Sequence, residues 1–217
     1  MVSEITVSRY IRQFRERTPD PDVLKRWIAF LRNHKDAIAG MDFFTVPTAT
    51  LNVLYGFFVI HHGRRRILHF NATYHPTAQW VIQQLRDAFP FESAPRHLIF
   101  DRDSIFCPAV VKFVKALGAK PGRIAYRSPW QNPVAERWIG TLQRELLGHV
   151  VVLGQQHLVR LVHSYIRYYH EDRCHLGLQR DTPDRRPVTR RPSPHAKVVA
   201  LPRVGGLHHR YVWRRAA

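Results

Sequence analysis

Residues 37–74, AIAGMDFFTVPTATLNVLYGFFVIHHGRRRILHFNATY, set the architecture of this chain. They contain three apolar runs, at 38–46, 54–61 and 66–74, with polar turns between them. Apolar runs bounded by turn residues are typical of strands, and connections this short favour antiparallel pairing. The stretch therefore predicts three successive strands at the antiparallel start of a sheet.

Helical and strand patterns alternate after residue 76. Apolar residues at a helical period predict the helices, and a short apolar run predicts a buried strand. The segments are a helix at 77–89, a strand at 97–100, a helix at 108–117 that Gly118 ends, a strand at 122–126, and helices at 132–147 and 155–169. The order β-β-β-α-β-α-β-α indicates an α/β fold, with a mixed sheet and helices on its faces.

A short helical region precedes the predicted main domain, residues 37–187. In residues 1–36, the turn at 18–22 separates two helical patterns, and the first, at 3–12, has a basic face and an apolar face. This first pattern is similar to the recognition helix of a helix-turn-helix remnant. It is equally consistent with a basic amphipathic helix that packs on the main domain.

A basic extension, residues 188–217, follows the predicted main domain. Nine Lys and Arg residues follow Asp184, and no acidic residue does. Apolar segments at 198–204 and 208–213 are predicted to pair as a hairpin across two glycines.

The charge of the chain points to a polyanionic partner. The 217 residues include 34 Lys and Arg but only 16 Asp and Glu, a formal net charge of +18. This excess predicts nucleic acid as the partner. Two cysteines, Cys107 and Cys174, are too few for a disulfide framework, and no apolar run is long enough to span a membrane. We therefore expect a cytoplasmic protein that is not inserted in a membrane.

Carboxylates are scarce between residues 37 and 150, so their positions are informative. Asp42 interrupts the apolar run at 38–46, and a lone buried carboxylate is costly unless a cation or strong hydrogen bonds compensate it. Asp101 and Asp103 directly follow the predicted strand at 97–100. Open α/β sheets usually place their sites at that edge.

A third candidate carboxylate lies on a helix. The helical period places Glu136 in the first turn of the helix at 132–147, on the exposed face with Gln143 and Arg144. Two aspartates from neighbouring strands and this glutamate would supply oxygen ligands for a pair of Mg²⁺ ions, as in phosphodiester chemistry. On spacing alone, a surface aspartate, a turn residue and a helix N-terminal carboxylate explain the three residues equally well.

Four segments form an ordered set of motifs. They are MDFFTV at 41–46, FDRDSIF at 100–106, SPWQNPVAER at 128–137 with LQREL at 142–146, and YYHEDRCHLGL at 168–178 followed by Thr182-Pro183. The set resembles the integrase catalytic core of bacterial insertion-sequence transposases, in the DDE superfamily that includes retroviral integrases. The resemblance extends over roughly residues 37–187.

The resemblance implies a ribonuclease-H-like fold and a catalytic, metal-bound triad of Asp42, Asp101 and Glu136. It implies two Mg²⁺ ions, replaceable by Mn²⁺, that assist nicking at a transposon end and attack of the freed 3′-hydroxyl on target DNA. It also implies transposon-end and target DNA as partners and a homo-oligomer assembled on them. Asp103, beside the triad, is either an outer-sphere ligand or without a role.

Six further residues are predicted to contact DNA. They are Trp130, Asn132, Gln143, Arg144, Arg64 and Arg65. An aromatic side chain in the loop before the helix can stack on a splayed base, and arginines in a hairpin turn can bind phosphate. The alternatives are that Trp130 packs under the helix start, that Asn132 caps the helix, and that the arginines belong to a solvated turn.

Two other functions remain open from the sequence. One is a non-catalytic or truncated transposase remnant that still binds DNA. The other is a ribonuclease-H-like nuclease that cuts without strand transfer. Replacing Asp101 with Asn separates the enzymes from the remnant, because only an enzyme loses metal-dependent cleavage.

Overall fold

The structure is a computed structural model that describes residues 21–91, 93–125 and 128–215. The chain divides into two compact units, Met1–Lys35 and Asp36–Ala217. In the first unit, helix α1 (Pro21–His34) begins at a proline and carries Asp22 in its first turn, both favourable at a helix N-terminus. The helical pattern predicted at 3–12 lies outside the described residues.

A five-stranded mixed sheet forms the centre of the second unit. Its strands are β1 (Ile38–Pro47), β2 (Val53–His61), β3 (Ile67–Thr73), β4 (His97–Phe100) and β5 (Lys120–Arg123), in the order β3-β2-β1-β4-β5. The first three strands pair antiparallel, whereas β4 runs parallel to both β1 and β5. The predicted antiparallel start and mixed sheet are therefore confirmed.

The last strand of this sheet differs from the prediction at 122–126. It begins at Lys120, because its pairing with β4 runs from His97 with Lys120 to Phe100 with Arg123. Pro121 lies within it, which an edge strand tolerates since one side of its backbone has no strand partner. The pairing partner, rather than the local apolar run, thus sets the limits of β5.

Four helices cover the two faces of the sheet. They are α2 (Ala78–Ala88), α3 (Pro108–Ala116), α4 (Pro133–Glu145) and α5 (Gln155–Glu171). Thr77 caps α2 by accepting a hydrogen bond from the Trp80 N–H at 3.2 Å, and Gly118, with a φ of +81°, follows α3. All four helices were predicted from their apolar period.

The sheet has a hydrophobic core on each face. On one face Phe44 and Phe58 pack with Trp138 of α4, and the Phe58 and Trp138 ring centroids lie 4.3 Å apart. On the other face Met41 and Phe57 pack with residues of α2 and α3. Burying each such side chain contributes about 1.5–3 kcal/mol, which fixes both helix pairs against the sheet.

A separate hairpin follows the sheet domain in sequence. It consists of β6 (Lys197–Arg203) and β7 (His208–Arg214), joined through Gly205 and Gly206, which both have positive φ. The predicted hairpin is therefore confirmed. Among the described residues, we find no helix that is both long and apolar enough to cross a membrane.

Candidate active site

The strand register places Asp42 and Asp101 next to each other. In the parallel pairing of β1 with β4, Gly40 lies opposite Ile99, and two residues further along each strand come Asp42 and Asp101. Neighbouring strands lie about 4.8 Å apart, so these carboxylates leave the sheet side by side. Asp42 is in mid-strand because its antiparallel pairing continues on the other side, opposite Phe58.

Helix α4 brings Glu136 to the same edge of the sheet. The helix begins at Pro133, and the residue before it, Asn132, donates a side-chain hydrogen bond to the Met41 carbonyl at 3.5 Å. The Asn132 Oδ1 atom also lies 3.4 Å from His62 Nε2. These contacts fasten the start of α4 to the backbone directly before Asp42, and Glu136 follows within one helical turn.

The three carboxylates interact electrostatically. Burial raises the pKa of Asp42 to about 7; repulsion by Asp101 and Glu136 acts in the same direction, and a hydrogen bond from the Phe43 N–H opposes it. Burial also raises the pKa of Asp101, and burial followed by repulsion from Asp101 raises that of Glu136. A site in which burial and like charge both disfavour ionisation is typical of a functional site.

Asp103 shapes the loop after β4. Its N–H donates to Asp101 Oδ1 at 2.9 Å, and its own Oδ1 accepts a hydrogen bond from the Ile105 N–H at 2.9 Å. Asp103 therefore uses one carboxylate oxygen to hold the loop, and it adds repulsion at both Asp42 and Asp101.

The carboxylates do not line a single cavity. Asp42, Asp101 and Asp103 line one cavity of about 440 Å³, whereas Glu136 lines a neighbouring groove of about 960 Å³ on the side of α4 and α5. Within the described residues, no three His, Cys, Asp or Glu side chains lie close enough together to hold one metal ion.

The donor set nevertheless fits a divalent cation in its chemistry. Carboxylate oxygens are the ligands that Mg²⁺ prefers, and three of them here repel one another. A cation between Asp42, Asp101 and Glu136 would relieve that repulsion and favour the ionised forms. To share one ion, the side chains must turn toward each other from their present positions.

Of the predicted DNA contacts, three residues share the groove of Glu136. They are Trp130, Arg144 and Arg65. Gln143, in contrast, is exposed and lines a different cavity beside β1. Arg64 is ion-paired with Asp181 at 2.8 Å and donates to the Thr182 and Pro183 carbonyls. Arg64 thus holds a loop of the protein itself.

Asn132 occupies the interior rather than the surface. Its side chain is 1% exposed and makes the two contacts that fasten α4 to the sheet, without capping the helix. This position favours a positioning role for Asn132 over a direct DNA contact. Gly40 completes the arrangement, because a Cβ there would lie 2.5 Å from Asn132 Oδ1.

A second contact links two of the sequence motifs and was not predicted. Arg173 binds Glu145 through two pairs of atoms, Nη2 with Oε1 at 2.6 Å and Nε with Oε2 at 2.8 Å. The Tyr165 hydroxyl donates to the same carboxylate at 2.8 Å. Although burial alone would raise the pKa of Glu145, these hydrogen bonds lower it. Arg173 follows Glu145 by 28 residues, so no local pattern in the sequence predicts this pair.

Comparison with known protein families gives one match. The profile of the integrase core domain family matches residues 117–183, a range that includes Glu136 but begins after Asp101. No curated protein sequence matches the chain.

Solved structures match more of the chain. The HTLV-2 integrase catalytic core domain in complex with magnesium has a TM-score of 0.55 at 12% identity and covers 70% of this chain and 95% of its own. The Mos1 transposase catalytic domain, solved with raltegravir and Mg, has a TM-score of 0.55 at 12% identity and covers 67% of this chain and 79% of its own. The catalytic core domain of BIV integrase has a TM-score of 0.51 at 16% identity and covers 69% of this chain and 91% of its own. The α/β fold of integrase and transposase cores is therefore confirmed.

Proposed function

We propose that this chain is a DNA transposase or integrase that nicks DNA ends and transfers strands with the help of divalent metal. The observation that carries the proposal is the electrostatic coupling of Asp42, Asp101 and Glu136, which come from β1, the end of β4 and the first turn of α4. Their coupling on an integrase-core fold fits phosphodiester chemistry better than a structural role, because nothing in a structural role requires like charges together.

The proposed cofactor is a pair of Mg²⁺ ions, with Mn²⁺ able to replace them. The HTLV-2 core and the Mos1 domain were both solved with magnesium, which supports a divalent metal here. Asp42, Asp101 and Glu136 would hold the ions. When bound, two metal ions stabilise the attacking and the leaving oxygen of a displacement at phosphorus.

The chain's own residues then have separate tasks. Asp42 and Asp101 are held by the paired strands β1 and β4, so their spacing is set by the sheet. Glu136 is on a helix whose start is fastened by Asn132, so its distance from the aspartates depends on that contact. Because Asp42 has a pKa of about 7, cation binding would release protons near neutral pH.

The proposed partners are transposon-end and target DNA, bound by a homo-oligomer. The net charge of +18 supports a nucleic-acid substrate, and the simian T-cell lymphotropic virus intasome, with a TM-score of 0.57 at 14% identity, has the same fold. We propose residues 37–187 as the catalytic part, with 1–36 and 188–217 as flanking segments.

A non-catalytic DNA-binding remnant is the second candidate. The observation that favours it is the separation of Glu136 from the two aspartates, since they line different cavities and the described residues contain no group of three that can hold an ion. Such a protein keeps the fold and the charge but does not cut DNA.

The test is nicking of supercoiled plasmid by purified protein with Mg²⁺ or Mn²⁺. We expect Asp101→Asn and Glu136→Gln to lower the rate at least about a hundredfold, because metal stabilisation of the transition state is worth several kcal/mol. Asp87→Asn is the matched control. It removes the same charge, but from an exposed carboxylate on α2. DNA binding in EDTA should survive in all three variants.

The outcomes separate the candidates. Nicking by the wild type and the control, but by neither site variant, supports the metal–carboxylate site. Binding without nicking by the wild type favours the remnant. Joining of a labelled oligonucleotide with a free 3′-hydroxyl to the plasmid distinguishes strand transfer from cleavage alone.

A further inference from the structure

The groove beside Glu136 carries a concentration of arginines. Arg65, Arg137, Arg144 and Arg173 line it, and Glu136 is the one acidic residue among its described lining. Arg173 is neutralised by Glu145. Among the described residues, no carboxylate pairs with Arg65 or Arg137.

Arg65 is the most unusual of these arginines. It is half-buried, and burial lowers its pKa, with Arg137 and Arg173 acting in the same direction and Tyr169 opposing them. Holding the Arg65 and Arg137 guanidinium groups in a partly buried groove, with no carboxylate paired to either among the described residues, costs free energy. A bound anion would remove that cost.

The turn that carries Arg65 is built to direct it into the groove. Its two neighbours are both paired with the segment at 181–184: Arg64 with Asp181 at 2.8 Å and Arg66 with Asp184 at 3.5 Å. Arg65 itself has a φ of +57°, a left-handed conformation that non-glycine residues rarely adopt. The pairing on both sides holds Arg65 in this strained conformation, away from the acids that bind its neighbours.

The opposite wall of the groove fits around Arg65. The guanidinium lies against Gly177, where a Cβ would overlap it. His175 also lines the groove; it is 3% exposed, and its Nε2 has no hydrogen-bond partner among the described residues. Arg173 donates to His175 Nδ1 at 3.3 Å, so this wall of the groove is itself held in place by an arginine.

We propose that this groove is a phosphate-binding site for DNA, in which Arg65 and Arg137 hold one backbone phosphate beside Glu136. The inference rests on the proposed function for the identity of the ligand and deepens it by naming where the strand lies. Guanidinium groups bind phosphate oxygens in pairs, and the open groove of about 960 Å³ suits an extended chain. Arg65 is then a positioning residue that sets the strand against the carboxylates.

The test is binding of a labelled DNA duplex in EDTA, measured by fluorescence anisotropy over a series of salt concentrations. We expect Arg65→Ala to weaken binding about tenfold at about 0.1 M salt. The slope of log affinity against log salt should become less steep by about 1, which corresponds to the loss of one phosphate contact. Arg86→Ala on α2 is the matched control, because it removes the same charge from the opposite face of the sheet. It should leave affinity and slope close to those of the wild type.

A second variant separates position from charge. Gly177→Ala keeps every arginine but displaces the Arg65 guanidinium, so we expect it to weaken DNA binding with the net charge unchanged. Thermal melting of each variant confirms that it is folded. Equal affinity and slope for Arg65→Ala and Arg86→Ala would overturn the proposal, since charge alone would then explain binding.

Two further outcomes distinguish related explanations. If inorganic phosphate protects the wild type against thermal unfolding while Arg65→Ala binds DNA normally, the groove is a site for free phosphate, and the DNA assignment is wrong. If the wild type does not nick plasmid but its DNA binding depends on Arg65 as expected, the phosphate site stands and the proposed catalysis fails.

Discussion

Two regions of this molecule hold carboxylates in opposite ways. At the candidate active site, Asp42, Asp101 and Glu136 are close enough to repel one another although they line neighbouring cavities, and burial raises the pKa of each. At the end of α5, a single aspartate, Asp172, has a side chain that is 1% exposed and lies among arginines. We call this second region the arginine clamp: Asp172 with Arg203 at 2.8 Å, Arg210 at 3.4 Å and Arg186 at 3.6 Å.

The two regions differ in the charges that surround each carboxylate. Three guanidinium groups surround Asp172, and two of them are on the hairpin β6–β7, so the clamp joins the hairpin to α5. The acids at the candidate active site repel one another, and a cation from solution would relieve that repulsion. The clamp therefore stabilises the fold, whereas the grouping of acids at the candidate active site destabilises it.

The clamp predicts the largest effect on stability. Asp172→Ala leaves three half-buried arginines without their acid, and breaking a buried pair in this way costs about 3–5 kcal/mol. In a chain of this size we expect the melting temperature to fall by roughly 10 °C. Hydrogen exchange should accelerate in residues 197–214. Glu171→Gln, an exposed acid one residue earlier, is the control, and an equally small effect for both would argue against the clamp.

Near the arginine clamp, burial changes the pKa of a histidine rather than that of a carboxylate. His170 Nε2 accepts a hydrogen bond from the Ile67 N–H at 2.8 Å, and burial lowers the pKa of His170 from 6.5 to about 4. Because the folded pKa is below the unfolded one, this contribution to stability is present above pH 6.5 and is lost as pH falls through about 4. The loss is at most about 3 kcal/mol.

Replacing His170 tests this pH dependence. His170→Gln keeps a polar side chain but cannot be protonated, so its stability in urea should fall less steeply between pH 6.5 and 4 than that of the wild type. The exposed His209, replaced in the same way, supplies the control. Parallel pH curves for wild type and His170→Gln would show that another group causes the acid sensitivity.

At the candidate active site, replacing an aspartate should raise the stability of the fold, whereas Asp172→Ala should lower it. Asp42→Asn removes a largely buried charge that Asp101, Glu136 and Asp103 repel, so we expect it to raise stability by about 1–2 kcal/mol in EDTA at pH 8. Adding about 10 mM Ca²⁺ should then stabilise the wild type by about 1 kcal/mol and leave the variant unchanged. Melting curves with and without metal measure both effects. Destabilisation by Asp42→Asn would remove the contrast between the two regions.

Within the clamp, the arginines should contribute unequally. Arg203 donates from Nε to Asp172 Oδ2 at 2.8 Å, whereas Arg210 approaches Oδ1 only to 3.4 Å. We expect Arg203→Ala to cost about 1–2 kcal/mol in urea unfolding and Arg210→Ala less than about 1, because a close charge-assisted hydrogen bond is the stronger contact. Arg214→Ala, an exposed residue of β7, controls for lost charge. Equal costs for Arg203 and Arg210 would indicate that only total charge matters.

Local patterns predicted most of the fold correctly. The first three strands, the helices and the hairpin follow from apolar period and turn residues, because neighbours along the chain determine those preferences. The limits of β5 were wrong, since pairing with β4 determines them. Arg64 and Arg65 are adjacent in sequence and equal in chemistry, yet Arg64 pairs with Asp181 and Arg65 enters the groove. No local pattern distinguishes them.

The sequence by itself determined the α/β fold class, the net charge of +18 and which carboxylates interrupt apolar segments. Only the tertiary structure decided which acids meet which partners. Asp42 lies beside Asp101 through a strand register, and Asp172 lies among arginines that follow it by 14 to 38 residues. Electrostatic free energy depends on distance and burial, and both are set by packing between distant segments. Residue type is written in the chain, but a carboxylate becomes a candidate metal ligand or a structural anchor only when the fold gives it neighbours.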